Sequence, residues 1–146
     1  MSGYVMVRRR STRRVDQPIA ARPLTTTMTR TDLTVRNDLS LGDALAVMVR
    51  HGIRHVLVVD LAGRCVGVLA DRVVASAFAR DPSALTWQRV GEVLDPTPAF
   101  VGTGATVADA ARVMCATGVD AVAVVDADNR PMGVVTSGDL IALLAR

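Results

Sequence analysis

Near the end of the chain, the stretch Gly133-Val-Val-Thr136-Ser-Gly-Asp139-Leu sets a hydroxyl and a carboxylate three residues apart, directly after a β-branched run. An ionised carboxylate only accepts hydrogen bonds, so Asp139 can take both protons of a vicinal diol in charge-assisted bonds. Thr136 adds a hydroxyl that donates or accepts. A helix starting here would also aim unpaired N–H groups at an anion such as phosphate. The same Thr-x-x-Asp spacing is a capping box, which needs no ligand. Spacing alone leaves both readings open.

Other constellations carry less. His51 and His55 would face one metal if a single helix held both, but the helix stop Gly52 falls between them and no third ligand is evident, so no metal is expected. Gly102-Thr-Gly104 lacks the third glycine and the acidic residue, about 20 positions on, of a dinucleotide-binding loop. Cys65 and Cys115 are isolated, which fits a reduced, cytoplasmic setting. No Ser-His-Asp, Cys-His or paired-carboxylate set converges in the motif region, so neither a catalytic residue nor an enzyme activity is expected.

The chain has 146 residues, half of them apolar, enough for a packed core. Aromatics make up only 3 %, so Val, Leu, Ala and Met must fill that core. The same scarcity argues against a surface that stacks nucleic-acid bases. Residues 1–22 carry a net charge of +5 from six arginines and one aspartate, leaving −2 for the rest. Any nucleic-acid contact would therefore fall to this tail, and a solvated leader is the simpler expectation. No run approaches the length of a membrane span, and the start lacks the apolar segment of a secretory signal.

The elements that must position Thr136 and Asp139 come from a duplication. Asp43-Ala44 recurs as Asp109-Ala110, Val47-Met48 as Val113-Met114, Val58-Val59-Asp60 as Val124-Val125-Asp126, and Gly67-Val68 as Gly133-Val134. Every pair is 66 residues apart and no gap is needed. Ser40-x-x-Asp43 and Thr106-x-x-Asp109 read as capping boxes. The helices they open carry Leu41, Leu45, Met48 and Val49, and Val107, Ala111, Met114 and Cys115, at helical spacing. Gly52 and Gly118 stop them. Two strands joined by a turn follow in each copy, then a closing helix over 74–80 and 139–145. Each copy reads strand–helix–strand–strand–helix, and a unit so small should pack against its twin. The expected divisions are a basic, disordered tail at 1–23, repeats at 24–80 and 90–146, and a linker at 81–89.

Two such copies, with G-h-h-T/S-x-x-D at the second hairpin strand, resemble a pair of cystathionine-β-synthase (CBS) domains. The resemblance implies an α/β (α+β) fold of two tandem βαββα units related by a pseudo-two-fold axis, with two clefts between them. It implies that Thr136 and Asp139 hold the ribose of an adenosine-containing ligand: AMP, ADP, ATP or S-adenosylmethionine. It places Ile53, Arg54 and His55 on the opposite wall, with Val134 and Ile53 beside the adenine and Arg54 and His55 toward a phosphate. Thr25 is a further candidate on the preceding segment. The counterparts of Thr136 and Asp139 are Ala70 and Val73, so one competent cleft, on repeat 2, is expected. Such a chain would be a regulatory sensor, expected to form a homodimer and to signal to a regulated protein. The alternative is a dimerisation or interaction module that binds no small ligand.

Overall fold

The computed structural model describes residues 18–96 and 99–145. Of the expected tail, residues 1–17 lie outside the described residues, as do Thr97, Pro98 and Arg146.

Two α+β units follow one another. In the first, strand β2 (Thr34–Arg36) leads to helix α1 (Leu41–His51), strands β3 (His55–Val59) and β4 (Cys65–Ala70), and helix α2 (Asp71–Arg80). In the second, β5 (Phe100–Gly102) leads to α5 (Val107–Thr117), β6 (Ala121–Val125), β7 (Pro131–Thr136) and α6 (Ser137–Leu144). The connection between them forms two single-turn helices, α3 (Ala84–Trp87) and α4 (Val90–Val93). Each sheet is mixed, with its first strand parallel and its last antiparallel to the middle strand. The closing helices begin at 71 and 137, earlier than the sequence suggests, because each starts directly where its strand ends.

Helix stops behave as expected: Gly52 (φ 63°) and Gly118 (φ 73°) take the left-handed conformation that glycine adopts without penalty. The Thr106 cap is a full box, whereas at Ser40 only the Ser Oγ acceptance from Asp43 N forms. There the flanking backbone pairs with the connection instead, Leu41 N–H donating to Gln88 O and Val90 N–H to Leu39 O. The buried stripe of α1 is Leu41, Ala44 and Met48, and Val49 is 72 % exposed, contrary to its expected core position. Cys115, placed equivalently on α5, is also exposed.

One apolar cluster fills each unit and a third lies between the sheets, where Leu57, Cys65, Ala123 and Val125 are buried with Val68, Phe100 and Val134 against them. The second sheet gains a fourth strand, β1 (Thr29–Arg30), from the start of repeat 1; it pairs antiparallel with β7. At the equivalent place in repeat 2, Pro96 stands where Arg30 stands in repeat 1. A proline lacks the N–H that a ladder position can use, and the first sheet has three strands.

At the ends of the hairpins the two turns clasp each other. Cys65 N–H donates to Asn129 O (2.8 Å), Asn129 Nδ2 donates to Cys65 O, and Arg130 Nη1 donates to Ala62 O. Asn129 (φ 62°) and its counterpart Gly63 (φ 82°) are both left-handed, a conformation that asparagine and glycine tolerate best.

The segment 18–23, expected to belong to the tail, is held against repeat 2. Ile19–Ala21 and Leu24–Thr26 form 3-10 turns, Leu24 N–H donates to Ala105 O, and Val107 N–H donates to Arg22 O. The cause is apolar: Leu24 is fully buried in the second core, with Ile19 packed against it.

Candidate functional site

Strand β7 delivers Thr136 to the start of α6, and the two candidate side chains close on each other. Thr136 Oγ1 accepts from Asp139 N–H (3.1 Å), and Asp139 Oδ2 accepts from Thr136 N–H (2.8 Å). The capping box is thus formed, yet it occupies one carboxylate oxygen only. Among the described residues, Asp139 Oδ1 receives no hydrogen bond. The side chain opens onto a cavity of about 220 Å³ lined by Arg22, Thr26, Thr27, Ala142 and Leu143. A carboxylate, a guanidinium and two hydroxyl-bearing residues there meet an apolar helix face.

Sequence reasoning missed this wall. Arg22 counted as a tail cation, although it lies two residues before a segment, Leu24–Thr27, equivalent by the 66-residue offset to Val90–Val93. The candidate Thr25 lies in the same turn, but its neighbours Thr26 and Thr27 line the cavity.

The residues expected opposite do not line this cavity. Ile53 packs against the core of repeat 1. Arg54, its side chain 81 % exposed, donates from Nε to Asp71 Oδ2 (3.1 Å). That contact uses Asp71 in the first turn of α2; the cap position is Ala70, with no side-chain bond. Val134 sits in the cluster between the sheets and pairs with Thr29 of β1. Over Gly133 the fit is tight: a Cβ there would lie 2.6 Å from Thr29 O and 2.9 Å from Met28 Sδ. None of Ile53, Arg54 and His55 hydrogen-bonds or ion-pairs with Thr136 or Asp139.

His55 faces the other cleft, on repeat 1. That cavity, about 230 Å³, runs between the units and is lined by Ala70, Arg72 and Val73 on one side and Val119, Asp120 and Ala121 on the other. Val73 and Val93 line it where Asp139 and Thr27 line the second. Arg72 Nη2 and Nε reach Asp120 Oδ1 and Oδ2 at 3.2 and 3.4 Å. His55 Nε2 lies 3.4 Å from Asp120 Oδ1, close enough for charge attraction but outside hydrogen-bond geometry, so this buried nitrogen has no hydrogen-bond partner among the described residues. The Arg72 hydrogen bonds, aided by the positive charge of Arg72 and by the nearby His55 imidazole, hold the Asp120 carboxyl below the ordinary carboxylate value against the cost of burial.

Fold and clefts together define a tandem pair of α+β units with a cavity at equivalent places in each. The CBS domain model matches residues 22–80 and 90–146, and the chain belongs to the CBS domain family. It is 32% identical over 116 residues to an uncharacterized 33.4 kDa protein in the ribosomal RNA operon of Thermofilum pendens, covering 70% of this chain and 39% of that protein, so it spans well under half of that relative's length. Among solved structures it resembles CBSX2 in complex with AMP, at 26% identity and a TM-score of 0.68, covering 85% of this chain and 96% of that one. The CBS domain pair of protein MJ0100, in complex with 5'-methylthioadenosine and S-adenosyl-L-methionine, shares the fold at 23% identity and a TM-score of 0.73, covering 84% and 95%. Among the described residues no helix is long and apolar enough to cross a membrane.

Proposed function

We propose that this chain is a regulatory module that binds one adenosine-containing ligand (AMP, ADP, ATP or S-adenosylmethionine) in the cleft of repeat 2 and signals to a partner protein. The observation that carries the reading is Asp139: it caps α6 with one oxygen, its other oxygen receives no hydrogen bond among the described residues, and it lines a cavity with Arg22, Thr26 and Thr27. The free oxygen suits the hydroxyls of a ribose, and the guanidinium suits a phosphate or a carboxylate. The AMP in CBSX2 supports the choice of ligand class. Binding alters the signal only if the ligand prefers one arrangement of the two units over another.

The test is a thermal-shift and calorimetric screen of the four adenosine compounds against the wild type and Asp139→Asn. Asparagine keeps an acceptor for Thr136 N–H but loses the charge, so the cap survives while diol binding weakens. Equal binding by both proteins rules out the ribose assignment. No response by the wild type to any of the four rules out sensing of this class.

A second reading, a constitutive interaction module, draws on exposed apolar side chains: Val49 on α1, Phe78 on α2, and Ile141 and Leu144 on α6. Phe78 also borders an apolar groove with Leu45, Val74, Ala75 and Leu85. The mass in solution, with and without adenylate, separates the readings: a ligand-independent homodimer together with a silent screen favours this one.

A further inference from the structure

The first cleft holds groups that its lost ribose motif does not explain. Arg72 opens its guanidinium into the cavity from the start of α2, and His55 offers a buried nitrogen with no hydrogen-bond partner. A planar guanidinium beside an imidazole is a fitting pair for a phosphate group. The position between them is already taken, by a carboxylate from the other unit. Asp120 is poorly explained as a stabilising salt bridge, because its side chain and that of Arg72 are 42 % and 60 % exposed and such pairs contribute little. Its own backbone fixes it in place, Asp120 O accepting from Ser137 N–H (2.8 Å). A tethered group acts at an effective concentration of about millimolar or above, against which a free anion must compete.

We infer that Asp120 is a built-in anion occupying a phosphate-binding position of the first cleft, where Arg72 and His55 would otherwise hold a phosphate group. Sequence divergence then closed this cleft twice, once by losing the ribose side chains and once by filling the anion position from within. Two further carboxylates bear on the balance. Asp71 adjoins Arg72 but is paired with Arg54, and Asp95, which has a partner of its own, also lines the cavity. Removal of Asp120 should therefore give millimolar rather than tight phosphate binding.

The chain has two histidines, which supplies the readout. His51 is exposed on α1 with Nδ1 near Val47 O, while His55 faces the cleft, so in a carbon–proton correlation spectrum the first serves as an internal reference. Inorganic phosphate is titrated into the wild type, Asp120→Asn and the double variant Asp120→Asn/Arg72→Ala. The expected result is a saturable shift of the His55 signal in Asp120→Asn, with His51 unmoved. In the wild type and the double variant the same shift should be at least about tenfold weaker in apparent affinity. An equal response in the wild type overturns the inference, as does no response in Asp120→Asn or an undiminished one without Arg72. Should Asp120→Asn not fold, as judged by its backbone spectrum, Asp120→Ser removes the carboxylate at lower volume and is scored the same way. This outcome is independent of the proposed function, because neither the probe nor the residues involve Asp139 or adenosine.

Discussion

The two clefts stand at equivalent places in a duplicated fold, and a few substitutions give them opposite characters. On the motif side, Ala70, Arg72 and Val73 in the first correspond to Thr136, Gly138 and Asp139 in the second. On the facing segment, Asp120 corresponds to Arg54. In the first cleft the arginine and the aspartate meet across the boundary between units. In the second, Gly138 offers no side chain to Arg54, which turns to Asp71 of its own unit. The first cleft is thus bridged by protein charges, and the second keeps an uncompensated carboxylate oxygen.

The largest expected effect tests the second cleft. An adenosine ligand at 100 times its dissociation constant should raise stability by about 2.7 kcal/mol, a shift of roughly 5–10 °C for a chain of this size. Asp139→Ala should abolish that shift, and calorimetry on the same protein should show no heat of binding. Next in size is a packing test of how β1 sits against β7. Gly133→Ala pushes a methyl into Thr29 O and Met28 Sδ, and should cost about 1–3 kcal/mol in chemical denaturation by displacing β1. A third experiment tries to erase the difference between the clefts. Ala70→Thr with Val73→Asp restores the ribose motif, yet the stoichiometry should stay at one adenylate per chain until Asp120→Asn is added, when it should rise to two.

The smallest effect is on acid stability. The folded carboxyl of Asp120 titrates below its ordinary value of 3.8, so the stabilisation from its pairing is fully present above that pH. It is lost as pH falls through the lowered folded value. Wild type should exceed Asp120→Asn by about 0.2–1 kcal/mol near neutrality, given the exposure of the pair, and the two should converge once the pH lies below the lowered folded value. A constant difference across the range would mean that the loss has another cause.

The duplication, the order of elements and the glycine stops were legible because each is written in local sequence at a fixed interval of 66 residues. The Thr136–Asp139 cap was legible from its own local spacing, without a counterpart in the first copy, where Ala70 and Val73 stand. What escaped depends on contacts between distant segments. Arg72 and Asp120 are 48 residues apart, and nothing local to either states that they meet. Arg54 and His55 are sequence neighbours, yet Arg54 pairs with Asp71 while His55 lines the first cleft, a split that tertiary contacts decide and local sequence does not state. Val49 fits a helical stripe as well as Ala44 does, and the neighbouring elements select the smaller side chain for burial. Charge composition hid Arg22 among the tail arginines, when the buried Leu24 two residues on was the better guide to where the fold begins.

The clasped turns at Cys65, Asn129 and Arg130 have a mechanical consequence. Both hairpins are pinned there, at the ends of their strands remote from His55, Ala70, Ala121 and Thr136, where the clefts open. The units are therefore built like tongs joined at the handle, and any opening grows with distance from the pivot.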